Sequence, residues 1–85
     1  MIAWPLSLQA VSRLLGIDKT TIYNYIERGE VVPSYRMKGD RHYWRFRPAD
    51  VTRVCDCYER TLSWQKANVP GMYNRRLEKY RRWEP

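Results

Sequence analysis

Leu8, Val11, Leu14 and Leu15 recur at the spacing of one helical face, and Gly16 follows directly. That pattern predicts a short helix closed by a residue free to adopt a left-handed backbone. Ser7 stands where an N-cap belongs, with Leu6 and Val11 placed to staple the chain across it. Asp18 is the next N-cap, because its carboxylate can accept from the free amides of a helix start and faces its positive end. Ile22, Tyr25 and Ile26 give this second helix a buried stripe, Gly29 stops it and Pro33 prevents its resumption.

From Tyr35 the period changes. Two runs rich in aromatic and cationic residues flank Lys38-Gly39-Asp40, which predicts a β-hairpin. In its second strand Trp44 and Phe46 are expected on the core side, with Tyr43, Arg45 and Arg47 outward. Pro48 suits the first turn of a third helix, and Val51, Val54, Cys55, Tyr58 and Leu62 carry its apolar stripe. That helix is expected to run to about Lys66 or Asn68, where Asn-Val-Pro-Gly breaks it. A last helix, roughly Tyr73 to Trp83, shows Tyr73, Leu77 and Tyr80 on one face, with Arg75, Arg76, Lys79, Arg81 and Arg82 around the rest.

The predicted chain is mainly α with a small β-hairpin, in the order α-α-β-β-α plus a C-terminal helix. With 85 residues, one folded domain over residues 1–67 is expected, followed by a basic amphipathic helix or tail over 68–85. A domain this small buries only about two-thirds of the surface its unfolded chain exposes. Its four Trp and seven Tyr are therefore needed for the core as much as for any site.

Charge narrows the partner. The formal net charge is +7 and the sequence pI about 9.8, which favours a polyanion such as nucleic acid. Residues 1–33 are neutral on balance, and the excess lies in 34–50 and 51–85. No apolar run is long enough to span a bilayer, and Met1–Gln9 lacks the plan of a secretory signal. Cys55 and Cys57 point about 200° apart on a helix, so reduced thiols in a cytoplasmic protein are expected, one of them facing the core. With one histidine there are too few ligands for zinc. No carboxylate cluster, Ser-His pairing or Gly-rich phosphate loop points to an enzyme, and no cofactor is expected.

The corner between the first two helices carries the functional expectation. Two short helices joined by a turn of about three or four residues containing glycine make a helix-turn-helix. Ser12 is small enough for close approach of the second helix, Gly16 takes the positive φ, Ile17 plugs the gap and Ile22 anchors from within. An ordinary helical hairpin in a core would share that corner, and the hairpin that follows separates the two. Over residues 6–54 the chain resembles the winged helix-turn-helix of the MerR type, most closely its small excisionase branch. "LLGI", "TTIYNYIERGEVVPS" and "KGDRHYWRF" before "RPADV" carry the resemblance. Ser12 stands where that family has alanine, and Arg47 where it has a Ser or Thr cap. The long coiled-coil helix and effector domain of full MerR regulators are not matched, so no small-molecule effector is expected.

The resemblance implies binding to double-stranded DNA, with the second helix in the major groove and the wing at the minor groove. The residues support this independently. Thr20 and Asn24 stack one turn apart near the start of that helix. Asn can pair with adenine N6 and N7, and a Thr methyl can pack on the thymine methyl. Thr20, Asn24 and the neighbouring Tyr23 are the expected base contacts, with Tyr23 also suited to phosphate. Lys19, Thr21, Arg28, Arg36, Lys38 and Arg45 are the expected backbone contacts, and Arg41 at the wing tip the residue for the minor groove. Each has a plain alternative as a solvated surface side chain, and His42 as a strand residue.

The tail leaves several options open: contact with phosphates, docking on an integrase or polymerase, pairing with another copy on DNA, or packing onto the third helix. A membrane-surface role is disfavoured. The expected function is a sequence-specific, non-catalytic DNA-binding protein of a phage or mobile element, either an excisionase-like architectural factor or a small transcription regulator in the nucleoid. The alternative is a protein-interaction domain whose basic surface is incidental.

Overall fold

The computed structural model describes residues 2–36 and 44–84. Its elements are β1 (Leu6–Ser7), α1 (Leu8–Leu15), α2 (Lys19–Glu27), β2 (Tyr35–Arg36), β3 (Trp44–Phe46), α3 (Pro48–Asn68) and α4 (Pro70–Lys79). The mainly helical architecture with an antiparallel hairpin is the one expected, a winged helix-turn-helix. The hairpin pairs Tyr35 with Arg45 and Arg36 with Trp44, and its turn lies outside the described residues. A short β1 adds to its other side, pairing Leu6 with Phe46 and Ser7 with Arg45, so the sheet order is β1-β3-β2. Two residues after a proline give no readable strand period, which is why the sequence predicts no strand there.

Local signals set the helix ends. Ser7 Oγ accepts from Ala10 N at 3.2 Å, and Asp18 Oδ1 accepts from Thr20 N at 2.7 Å. Gly16 closes α1 at φ +68°, and Gly29 follows α2 at φ +77°. The start of α3 lacks a capping side chain at Arg47, and Asp50 compensates from inside the helix. Its Oδ2 accepts from Arg47 N at 2.9 Å and from Ser34 N at 3.0 Å, tying the helix start to the loop before β2.

One core fills the interior. Val11 and Leu15 of α1, Ile22, Tyr25 and Ile26 of α2, Trp44 and Phe46 of β3, and the stripe of α3 are all buried together. Cys57 is buried as well as Cys55, both as free thiols. The sequence predicts one inward cysteine because it treats α3 as covered on one side. In the fold α3 is covered on more than one: Cys57 Sγ lies 3.9 Å from Glu30 O, in the turn after α2.

The C-terminal part differs most from expectation. The break after α3 is a single residue, Val69, because Pro70 needs no amide partner in a first helical turn and opens α4 at once. The helix ends at Lys79 rather than near Trp83, since Tyr80 turns extended. The chain then returns to the rest of the fold. Arg81 N donates to Leu15 O at 2.9 Å, Tyr80 Oη donates to Glu59 Oε2 at 2.7 Å, and Trp83 meets Trp4 edge-on at 5.2 Å. Arg82 bridges Asp56, Glu59 and Glu84.

Two consequences are measurable. A Cβ on Gly16 would collide with the carbonyl of Lys79, whereas one on Gly29 would meet open space. Both substitutions to Ala incur the left-handed penalty of about 1 kcal/mol. Gly16→Ala is therefore expected to lower the urea midpoint clearly more than Gly29→Ala, and equal midpoints would contradict the packing of the tail.

The second concerns alkaline pH. Burial raises the phenol pKa of Tyr25 and Tyr58, and burial together with the Glu59 hydrogen bond raises that of Tyr80. The unfolded phenols ionise near pH 10, while these three stay neutral when folded. Their contribution to stability is thus complete below about pH 10 and lost as pH rises toward the folded values. Tyrosinate absorbance should titrate late for part of the tyrosines, with the urea midpoint falling from about pH 10 upward.

Candidate nucleic-acid interface

The side of α2 opposite its buried stripe is set by the corner. Ser12 O accepts from Gly16 N at 2.9 Å and Ile17 N at 3.1 Å, and Ser12 Oγ donates to Ile17 O at 2.5 Å. Ile17 is buried behind that turn, so α2 leaves it at a fixed angle. With Ile22, Tyr25 and Ile26 inward, Lys19, Thr20 and Asn24 are exposed on the free face. Thr20 and Asn24 are four residues apart, a rise of ~6 Å along the axis.

The other residues of this face have their own surroundings. Thr21 is half-buried. Tyr23 is half-buried too, its ring 5.5 Å from that of Trp44, so it joins the free face of α2 to β3. Arg28 is exposed beyond the helix end, 5.5 Å over the Tyr25 ring and 3.2 Å from Glu30 Oε2, without hydrogen-bond geometry. On β3, Arg45 is half-buried and its Nη1 donates to Trp44 O at 2.9 Å. Lys38 and Arg41 lie outside the described residues, as does His42, and so does the side chain of Arg36.

A cleft of about 640 Å³ opens beside α2. It is lined by Asp18, Thr20, Thr21 and Asn24 from the start of α2 and its cap and by Arg75, Arg76 and Lys79 of α4. These three cations were legible only as part of a basic helix of undetermined place. Their spacing at i, i+1 and i+4 marks one helical side, but nothing in the sequence says what that side faces. The fold brings it to the expected base-reading residues.

Among the described residues no group of His, Cys, Asp and Glu could hold a metal ion, and no helix is long and apolar enough to cross a membrane. Residues 5–54 match the family model of the helix-turn-helix domain. No curated protein and no solved structure matches the chain.

The Asp18 cap can be tested directly. Asp18→Ala should cost about 1 kcal/mol of stability by leaving Thr20 N unpaired, and Asp18→Asn, which retains an accepting oxygen, should cost much less. Equal losses in urea denaturation would show that the carboxylate charge, not the cap, supports α2.

Proposed function

Because the chain belongs to the helix-turn-helix domain family, a DNA-binding family, we propose that it is a non-catalytic, sequence-specific reader of double-stranded DNA. The helix α2 enters the major groove, and Thr20 and Asn24 meet base edges. Lys19, Thr21, Arg28 and Arg45 flank them toward the phosphates, Tyr23 stands between the two roles, and the wing with Arg36, Lys38 and Arg41 lies along the backbone and minor groove. The carrying observation is that Thr20 and Asn24 are exposed on a helix whose opposite face is locked into the core.

The physical division of labour suits this reading. A duplex presents distinct donor and acceptor patterns in the major groove, and short polar side chains on a rigid helix can read them. The rise of ~6 Å between Thr20 and Asn24 spans roughly two base-pair steps. A single module covers only about 600–1,000 Å², so useful affinity calls for further copies on repeated sites or a partner such as an integrase. That arrangement fits an excisionase-like architectural factor or a small transcription regulator of a mobile element, acting in the cytoplasm at the nucleoid.

A second reading, a protein-docking winged domain, draws on the exposed Trp64 and Leu77 of α3 and α4. The two separate in one experiment. A site obtained by selection from random duplexes is compared with a scrambled duplex at rising salt. Asn24→Ala and Thr20→Ala should each cut discrimination by about 5- to 150-fold, the equivalent of 1–3 kcal/mol per base contact. Equal binding of both duplexes by the unaltered protein at every salt concentration, or unaltered affinity in an Asn24→Ala/Arg41→Ala double variant, would favour the docking reading.

A further inference from the structure

The cleft beside α2 is walled by a helix outside the matched residues 5–54. We propose that Arg75, Arg76 and Lys79 of α4 form a phosphate-binding ledge that grips the sugar–phosphate strand bordering the groove entered by α2. This rests on the reading of α2 as a duplex reader and extends the interface to a helix with no assigned role.

Placement is the first argument. The major groove is about 12 Å wide and its walls are the two phosphate strands. Long cationic side chains across a cleft from Thr20, Thr21 and Asn24 are therefore positioned for a wall, not for base edges. Arg75 and Lys79 are exposed and Arg76 is half-buried beside the cleft. The ledge is held in place before any ligand arrives. The Lys79 carbonyl packs on Gly16, Arg81 N donates to Leu15 O, and Tyr80 is fixed between Tyr58 and Glu59. A cation carried on an ordered helix brings less backbone freedom to lose on binding than one on a loose tail.

Charge allocation is the second argument. Three other cations of the C-terminal half are occupied within the fold: Arg53 donates to Glu30 O, Arg60 to Cys57 Sγ, and Arg82 to three carboxylates. Among the described residues no ion pair engages Arg75, Arg76 or Lys79. The carboxylate in the cleft, Asp18, is already used as the α2 cap. Three positive charges on one cleft wall, outnumbering the single Asp18 carboxylate there and in no ion pair among the described residues, suit a polyanionic backbone beside the proposed reading helix.

The test uses the full chain and the selected duplex. Arg75→Gln/Lys79→Gln alters two exposed side chains, and adding Arg76→Gln completes the set. Each lost phosphate contact flattens the plot of log affinity against log salt by about 0.9. The double variant should therefore lose about 2 from that slope and weaken equally on selected and scrambled duplexes, so that their ratio holds. Its urea midpoint should match that of the unaltered protein, and Arg75→Lys/Lys79→Arg should restore the slope. An unchanged slope in the double variant, while the unaltered protein still prefers its site, overturns the ledge and leaves the reading of α2 intact. A changed ratio with an unchanged slope also overturns it, since it would make α4 a base reader. Loss of site preference in the unaltered protein overturns both. Should the triple variant unfold, the exposed pair decides the matter alone.

Discussion

The turn from Ser12 to Ile17 governs the rest of the molecule. It reverses the chain in so few residues that α1 and α2 must touch, and it does so with one left-handed glycine and a serine that serves the corner twice. The Ser12 carbonyl accepts the amides of Gly16 and Ile17, and its hydroxyl donates to the Ile17 carbonyl. Alanine in its place would offer the same small size and lack the last bond. Ser12 is thus a strengthened corner in this chain. The same corner receives the tail: the lack of a Cβ at Gly16 lets the Lys79 carbonyl approach, and Leu15 O accepts from Arg81. One small-residue turn sets the angle of α2 and seats the chain after α4.

That dependence explains why the polar face of α2 stays available. A nine-residue helix is marginal alone, so its stability comes from the buried Ile22, Tyr25 and Ile26 and from the Asp18 cap. Tyr25 extends the hold by pairing its hydroxyl with Thr61 Oγ1 at 2.7 Å, which satisfies a polar group that burial would otherwise penalise. Tyr23 does the same work sideways, against Trp44. Thr20 and Asn24 are needed for none of these packing contacts. Their exposure follows from a core that is complete without them.

Much of this was legible because it is local. Caps at Ser7 and Asp18, the positive φ at Gly16, the stop at Gly29, the buried stripes and the inward Trp44 and Phe46 all follow from residue type and spacing within about ten residues. What stayed hidden depends on distant partners. Cys57 is buried because the turn at Glu30 lies over it, and α3 starts well without a Ser or Thr cap because Asp50 reaches back to Arg47 and across to Ser34. The end of α4 was misplaced since the periodicity of Leu77, Tyr80 and the arginines continues past Lys79. Long-range bonds to Leu15 and Glu59 take over the chain there instead. For the same reason Arg75, Arg76 and Lys79 were readable as a basic face but not as neighbours of Asn24.

The distribution of charge then acquires a structural meaning. Within Lys19–Glu27 the positive and negative side chains balance, and Arg28 just beyond is offset by Glu30. A strongly cationic reading helix would bind any duplex tightly, since counterion release does not depend on sequence, and that background would dilute discrimination. Placing the surplus on flanking elements, the strands of the wing and the cleft side of α4, separates the two contributions in space. Under the proposed function, polar contacts from a neutral helix set the preference between sequences, while cations to either side set the overall strength and its salt dependence. In the proposed reading each can be adjusted without disturbing the other, because the corner at Gly16 holds the two surfaces at a fixed distance.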